Sequence, residues 1–361
     1  MTLPALLVAL AGAALADDPL YDDLEKLGWE LIETTNVPGV AMVCIRKGEV
    51  AWFLGCGYAD LASERPVADD TVFNIGSISK TVAAWGAMKL VEQGKVDLDA
   101  PVAKYVTRWK LPPSEFDPAG VTLRRLLSHT AGLSLHGYPG FEPGVELPSI
   151  EASLSGDTNG AGDVRIVHEP GSKWQYSGGG YTLAQLLIEE QSGRPFAEYM
   201  KSEVLEPLGM KHSDYRWTSA IDALAATPYD EDGKPIGGPR FTEAAAAGLQ
   251  TTAADLARFG CASLTRFRGD GAPAVLARAT IELMQTPAPA SPGYGLGYSV
   301  ERQGSIVVVG HGGSNQGWMS QLDFVPETGD GLVVLTNGSN GRRILEPVRK
   351  RWIAALTAGA R

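Results

Sequence analysis

Apolar residues recur at helical spacing near the start of the chain, and runs of strand-forming residues follow. Four leucines between positions 20 and 31 lie three or four residues apart, which predicts an amphipathic helix over 18–35. Residues 37–45 and 50–58 are rich in β-branched and aromatic side chains. Because these two runs flank a turn around Lys47-Gly48, they predict a β-hairpin.

Helical patterns dominate the middle of the chain, and strand patterns return towards its end. Helices are predicted over 77–93, 121–128, 180–192, 196–205, 252–264 and 344–356, and strands over 305–309, 318–325 and 331–336. Strands from both ends of the chain would frame the helical middle. The pattern therefore predicts an α+β fold with a mostly antiparallel sheet from about 17–65 and 285–361, terminal helices against it, and an inserted α-helical region over about 77–280. A binding cleft is expected where the two regions meet.

Composition restricts the classes of partner. The chain has 361 residues, 44% of them hydrophobic, and a formal net charge of −11. With this acidic balance no run of Lys and Arg stands out, which argues against nucleic acid or an anionic membrane surface as a partner. The five histidines show no metal-ligand spacing, so neither a metal nor another cofactor is predicted. Composition leaves the oligomeric state open.

The first 16 residues are almost entirely apolar and end in Ala14-Leu15-Ala16. A short apolar run before a small-residue site is typical of a secretory signal peptide, although this one lacks a Lys or Arg at its start. A membrane span needs ~20 apolar residues, and no segment approaches that length. We therefore expect a signal peptide at 1–16, a single domain at 17–361, and a periplasmic or secreted protein.

The three cysteines, Cys44, Cys56 and Cys261, cannot all form pairs. Pairing about the Lys47-Gly48 turn would place Cys44 opposite position 51 and Cys56 opposite position 39. These two side chains would then be too far apart for a disulfide. Free, buried thiols are therefore predicted.

A serine and a lysine lie one helical turn apart in Ser77-Ile78-Ser79-Lys80. Positions three apart share a helix face, so the hydroxyl of Ser77 and the amine of Lys80 can meet. A serine becomes a good nucleophile when a base takes its proton, and apolar surroundings favour the neutral amine that could do so. Gly76 permits a sharp entry that would place Ser77 at the helix N-terminus, where free N–H groups favour an oxyanion. The alternative is an N-cap serine followed by a lysine that extends to solvent.

Two further segments carry candidate chemistry. A Pro-Gly turn leads to Tyr176, and three glycines follow before a predicted helix. A phenol near a lysine can relay protons, although a buried tyrosine before a glycine-rich turn is the alternative. His311 lies in a Gly-rich segment between two strand-forming runs, where it could point into a cleft or serve only the structure.

Together the three segments resemble the class C β-lactamase family of serine hydrolases, which includes carboxylesterases, D-aminopeptidases and DD-peptidases. Ser77-Ile78-Ser79-Lys80 matches the S-x-x-K nucleophile motif, and Tyr176-Ser177 begins the second motif. His311-Gly312-Gly313 stands where many penicillin-binding members have Lys-Thr-Gly and many esterase-like members have His-x-Gly. Segments 94–102, 126–133 and 246–256 also resemble stretches of this family. The resemblance covers most of the chain after the predicted signal peptide and implies the same fold class.

The resemblance implies a role for each matching residue. Ser77 would be the acylated nucleophile, and Lys80 with Tyr176 would form its base and proton relay. The backbone N–H groups of Ser77 and of Ser314, just after Gly313, would form the oxyanion hole. By the same resemblance His311 would line the cleft and orient the substrate, whereas His129 would be structural.

Two departures from the family pattern bear on the substrate. Position 178 is Gly where Tyr-x-Asn is usual, and position 311 is His where many members have Lys. Both changes favour carboxylic esters or small amides over β-lactams, and we therefore expect a serine hydrolase with a small-molecule ester or peptide-like substrate. The alternatives are a D-aminopeptidase or DD-peptidase, a weak β-lactamase, and a penicillin-binding sensor that deacylates slowly.

Overall fold

The computed structural model describes residues 18–269 and 274–359, and the predicted signal peptide lies outside them. The helices are α1 (Pro19–Thr35), α2 (Ile78–Glu92), α3 (Leu123–Leu127), α4 (Ile150–Leu154), α5 (Gly178–Ser192), α6 (Phe196–Met200), α7 (Ser219–Leu224), α8 (Ala244–Ala247), α9 (Ala253–Ser263), α10 (Arg278–Met284) and α11 (Arg342–Gly359). The strands are β1 (Gly39–Arg46), β2 (Glu49–Asp60), β3 (Arg65–Pro66), β4 (Val72–Asn74), β5 (Gln250–Thr252), β6 (Ser299–Gln303), β7 (Ile306–Asn315), β8 (Trp318–Val325) and β9 (Asp330–Thr336).

Both ends of the chain contribute to one antiparallel sheet. Its seven strands run in the order β3-β2-β1-β9-β8-β7-β6. The first and last thirds of the chain join where β1 pairs with β9, with Val40 opposite Thr336. The predicted α+β fold, with a mostly antiparallel sheet built from both ends, is therefore confirmed.

The terminal helices cover one face of this sheet. Asp18 caps α1 by accepting a hydrogen bond from the Leu20 N–H at 3.0 Å, and Pro19 occupies the first turn, where a missing N–H costs nothing. Leu24 of α1 and Trp352 of α11 are buried in a single apolar cluster with inward-facing residues of the sheet. The opposite face of the sheet packs against α2, α9 and the rest of the helical region, in a second and larger cluster.

The hairpin of β1 and β2 has a register one residue away from the predicted one. Cys44 lies opposite Trp52 and Cys56 opposite Val40, because the register shifts at a bulge between Cys44 and Ile45. All three cysteines are free thiols, as predicted, but only Cys44 and Cys56 are buried, whereas Cys261 is partly exposed. None of the described helices is long and apolar enough to cross a membrane.

The strand that carries His311 is longer than its hydrophobic pattern indicates. The predicted strand ends at 309, whereas β7 continues to Asn315. The extension contains His311 and three glycines, which are residues with weak strand preference. Pairing with β8 holds them in the sheet, with His311 opposite Leu322 and Gly313 opposite Ser320. The candidate third motif therefore lies on the strand itself, and only the predicted end of that strand, at 309, is wrong.

Candidate active site

Ser77 lies at the N-terminus of α2, directly after a tight turn. The turn is formed by Gly76, which has a φ of +51°, and its N–H donates to the Asn74 side-chain oxygen at 2.9 Å. Residues other than glycine seldom adopt this backbone conformation. The Ser77 hydroxyl makes no capping bond to the helix. The hydroxyl is therefore not engaged as an N-cap and remains available for other chemistry.

Lys80 is buried and lies on the same helix face as Ser77. Its side chain does not extend to solvent, because the residue is only 2% exposed. Nζ lies 3.2 Å from the Ser77 Oγ and donates to the Ala246 carbonyl at 2.6 Å. Lys80 forms no ion pair with any residue in the described ranges. Burial therefore lowers the pKa of Lys80 from 10.5 to about 7, so that much of the amine is neutral near neutral pH.

The phenol of Tyr176 lies close to both Lys80 and Ser77. The Lys80 Nζ is 5.1 Å from the centre of the Tyr176 ring. Burial raises the pKa of the Tyr176 phenol well above 10, and the Ser77 hydroxyl opposes this shift only in part. Tyr176 is therefore a neutral phenol that can donate a proton, whereas the partly neutral Lys80 can accept one.

A cluster of rings fixes the position of Tyr176. The rings of His129 and His136 lie 4.2 and 4.8 Å from that of Tyr176, and the Trp174 ring is 6.3 Å away. His129 holds the next residue as well, because its Nδ1 accepts the Ser177 N–H at 3.1 Å. A ring nitrogen that accepts a hydrogen bond carries no hydrogen, so the neutral His129 has its hydrogen on Nε2. His129 thus joins the end of α3 to the start of α5.

His311 is a neutral side chain in this site. The residue is only 6% exposed, and its Nδ1 lies 2.5 Å from the Gly312 carbonyl oxygen. A carbonyl oxygen can only accept, so Nδ1 carries the hydrogen and Nε2 has a lone pair. Burial lowers the pKa of His311 to about 4. His311 therefore supplies no positive charge at neutral pH.

The free edge of β7 faces the start of α2. The hairpin of β6 and β7 closes at Gln303 and Ile306, and its pairing ends at Ser299 opposite Gly310. In an antiparallel ladder, the backbone N–H groups of every second residue point towards the same neighbouring strand. The Ser314 N–H therefore points to the side of β7 on which β6 lies. Because β6 ends before it reaches Ser314, this N–H has no partner strand there. A Cβ built on Gly76 would lie 2.6 Å from the Ser314 nitrogen. The N–H groups of Ser314 and Ser77 therefore lie close together.

Gly313 permits this close approach. A Cβ at position 313 would overlap the Ile75 carbonyl oxygen, so any larger residue would force β7 away from the segment that leads into α2. The Ser320 hydroxyl, from the neighbouring strand, donates to the same carbonyl at 2.8 Å. Packing around Ile75 thus fixes the distance between Ser77 and Ser314.

All six residues singled out from the sequence line one cleft of about 750 Å³. They are Ser77, Lys80, Tyr176, His311, Gly313 and Ser314. The cleft is within the ~300–1,000 Å³ range that is usual for small-molecule sites. Among the residues that the structure describes, no group of His, Cys, Asp and Glu side chains is arranged to hold a metal ion.

Sequence reasoning missed two parts of the site. The first is the Ala246 carbonyl, which holds Lys80 from a distant part of the chain. The second is the amide pair of Asn74 and Asn315, in which the Asn315 Nδ2 donates to the Asn74 Oδ1 at 2.6 Å and to the Ala247 carbonyl at 3.1 Å. Each asparagine stands next to a recognised motif, and that proximity is the only sequence signal of the pair.

Gly178 is closely packed. A Cβ at this position would lie 3.1 Å from the His136 carbonyl oxygen and 3.2 Å from the Tyr138 ring. The Gly178 N–H also donates to the His136 carbonyl. A larger side chain at 178 would therefore require the segment at 136–138 to shift by a few tenths of an ångström.

Comparison with known proteins gives a consistent result. The profile of the Beta-lactamase family matches residues 22–355. The chain is 30% identical over 215 residues to Esterase EstB of Burkholderia gladioli, covering 57% of this chain and 53% of the esterase. It is 29% identical over 260 residues to a Beta-lactamase of Escherichia coli (strain K12), covering 72% of this chain and 65% of that protein. The chain thus spans about half to two thirds of the length of these relatives.

A solved structure shows the same arrangement of elements over almost the whole chain. The octameric penicillin-binding protein homologue from Pyrococcus abyssi superposes with a TM-score of 0.76 and 28% sequence identity. The superposition covers 94% of this chain and 77% of that one.

Proposed function

This chain belongs to the Beta-lactamase family, and we propose that it is a serine hydrolase that forms an acyl-enzyme on Ser77. One observation carries the proposal. The Ser77 hydroxyl lies 3.2 Å from a buried lysine amine that has no ion-pair partner among the described residues, and burial lowers the pKa of that amine to about 7. A serine beside a base of this strength has the arrangement that activates a nucleophile.

The proposed reaction starts with proton transfer from Ser77 to neutral Lys80. The Ser77 Oγ attacks the substrate carbonyl, and the N–H groups of Ser77 and Ser314 stabilise the resulting oxyanion. Tyr176 donates its proton to the leaving group and is reprotonated by the Lys80 ammonium. The carbonyl re-forms as the alcohol or amine leaves. Water then adds to the acyl-enzyme with neutral Lys80 as its base, and the Lys80 ammonium returns the proton to the Ser77 oxygen as the acid is released.

Carboxylic esters and small amides are the substrates that the cleft supports best. His311 is neutral, so no cation at that position binds a substrate carboxylate. Position 178 has no side chain to contact an amide, and the 136–138 segment packs against it. Short esters need neither contact. The relative named as an esterase agrees with this choice.

The second candidate is weak β-lactam hydrolysis, which the relative named as a Beta-lactamase favours. The same serine, lysine and tyrosine would form the acyl-enzyme, and the two enzymes would differ in the contacts that hold the substrate. Each missing hydrogen bond costs roughly 1–3 kcal/mol, so two missing contacts would lower kcat/KM for β-lactams by about two to four decades. A D-aminopeptidase or DD-peptidase would use the same residues on a peptide-like amide.

Covalent labelling tests the proposal directly. A fluorophosphonate should add its mass to Ser77 in the intact protein, as located by peptide mass spectrometry. Ser77→Ala should lose the label and almost all hydrolysis of nitrophenyl acetate. The matched control is Ser79→Ala, which changes a buried serine of the same helical turn whose hydroxyl accepts the Leu249 N–H at 2.9 Å. Label at another residue in Ser77→Ala would reject the assignment.

Steady-state rates distinguish the substrate classes. We expect kcat/KM for a short nitrophenyl ester to exceed that for nitrocefin and for D-Ala-containing peptides at neutral pH. Faster hydrolysis of nitrocefin than of every ester would overturn the substrate proposal while leaving Ser77 in place. A single burst of product without further turnover would instead identify a slowly deacylating sensor.

We also propose that the protein is exported to the periplasm or secreted. The support is the apolar sequence of residues 1–16 and the small residues that end it. Expression of the full chain in a Gram-negative host, followed by mass measurement of the exported protein, tests this proposal.

A further inference from the structure

A second groove lies behind the candidate active site. It has a volume of about 450 Å³ and is bounded by α5, α6, α8 and the loop that precedes α4. Helix α8 separates it from the cleft, because Ala246 and Ala247 line the cleft whereas Ala244 and Gly248 line the groove. None of the residues that the structure describes lines both cavities. The groove is therefore a separate cavity and not an extension of the cleft.

The walls of the groove are mainly apolar. Phe196 and Phe241 are buried in them, and Trp217 is partly exposed. At the rim of the groove, Val145 is 50% exposed and Leu147 is 38% exposed. Few other large apolar side chains of the described residues are as exposed as these two. Apolar surface that remains exposed beside a cavity indicates a binding site for an apolar group.

One cation in this wall has few partners. The Arg240 guanidinium lies 3.5 Å above the Trp217 ring and is half buried. Its side chain makes one hydrogen bond, to the Gly238 carbonyl, among the residues that the structure describes. Asp222, the acidic group that acts on this cation, accepts a hydrogen bond from the Trp217 Nε1 at 2.6 Å. Burial lowers the pKa of Arg240 more than Asp222 raises it. The positive charge of Arg240 is therefore only partly balanced by the negative charge of Asp222.

The other charged groups of the groove already have partners. Arg216 hydrogen-bonds to Asp214 at 3.3 Å. Glu189 forms an ion pair with Arg108 at 3.0 Å and so presents a compensated charge. Among the charged residues that line the groove, Arg240 is therefore the one whose N–H donors remain available to a ligand. A planar guanidinium binds a carboxylate with two parallel hydrogen bonds.

From this juxtaposition we propose that the groove is a binding site for an aromatic carboxylate. The ring would lie between the apolar walls and the Val145–Leu147 rim, and the carboxylate would pair with Arg240. The volume suits a ligand of this size. This groove is distinct from the site at Ser77, and ligand binding in it does not depend on the hydrolase activity.

Calorimetric titration of the folded protein tests the proposal with a matched pair of probes. The charged probe is 3-phenylpropionate, and the neutral probe is 3-phenylpropanol, which has the same ring and chain length. We expect the carboxylate to bind at least about tenfold more tightly, a difference that one charge-assisted pair can supply. Arg240→Gln should remove this difference. The control Arg165→Gln, at an exposed arginine of another loop, should retain it.

Rim variants keep the test informative if Arg240→Gln fails to fold. Val145 is exposed, so Val145→Asp should leave the fold intact while placing a negative charge at the groove, and Val145→Asn is its neutral match. We expect Val145→Asp to weaken 3-phenylpropionate binding severalfold more than Val145→Asn does. Equal affinity for the two probes, no binding, or a crystal structure with the probe beside Ser77 would overturn the proposal.

Discussion

Replacing Lys80 with methionine should abolish hydrolysis and yet stabilise the fold. Lys80 is buried without an ion-pair partner among the described residues, and its pKa falls from 10.5 to about 7. Each pKa unit corresponds to ~1.4 kcal/mol, so keeping a protonated Lys80 buried costs about 5 kcal/mol. Methionine has a similar length, carries no charge and adapts well to irregular core space.

The size of this gain depends on pH. Between about pH 7 and 10.5 the unfolded chain holds the Lys80 proton and the folded chain releases it. The stability of the wild-type protein therefore rises with pH across that window, whereas below pH 7 the full cost is present. Methionine leaves the Ala246 carbonyl without its partner, which costs about 1–3 kcal/mol. The net gain should be about 2–4 kcal/mol at pH 6 and should vanish or reverse towards pH 10.

Chemical unfolding of both proteins at several pH values between 6 and 10 measures this difference. The control is Lys89→Met, the same substitution on the same helix, where the lysine pairs with Glu203 at 2.9 Å near the surface. Losing that pair should lower the free energy of unfolding by about 0–1 kcal/mol and should give no gain at pH 6. A Lys80→Met protein that is less stable than wild type at pH 6, or a difference that does not change with pH, would refute the reasoning.

Other predictions concern the same site. The kcat/KM for a nitrophenyl ester should fall about tenfold per pH unit below pH 7, because protonated Lys80 cannot accept the serine proton, and a pH–rate profile measures this. Tyr176→Phe should lower kcat by about 10²–10⁴-fold in steady-state assays with circular dichroism unchanged. Gly313→Ala should lower kcat by about 10²-fold or more, because its Cβ overlaps the Ile75 carbonyl and moves an oxyanion donor; a rate within twofold of wild type would contradict this. Mass measurement of the exported protein should find Asp17 at its N-terminus, and an intact Met1 would reject export.

The elements with strong local patterns could be predicted from the sequence. Helix α1 begins within one residue of its predicted start, because Asp18 and Pro19 are direct helix-start signals and the leucines mark its buried face. The β1–β2 hairpin was predictable for a similar reason, since a Lys-Gly turn separates two runs of strand formers. Its register was not, because a bulge leaves no mark in the hydrophobic alternation.

Elements that depend on tertiary contacts were missed. Strand β6 contains Glu301, Arg302 and Gln303, which are polar residues at the edge of the sheet, and only pairing with β7 defines it as a strand. Helix α8 is four alanines between a glutamate and a glycine, too short for any helical period. It forms because the Gln185 side chain accepts the Ala245 N–H and other elements enclose it.

The chemistry of Lys80 depends on the least predictable of these elements. The S-x-x-K spacing alone brings the amine to the serine, but spacing cannot lower its pKa. That requires burial, and α8 supplies both the wall and the carbonyl that holds the Nζ. A bulky or charged residue at Ala246 would change the proton affinity of Lys80 without altering any of the three motifs. Motifs therefore identify which residues could react, whereas the packing of a short, pattern-free segment decides at which pH they could do so.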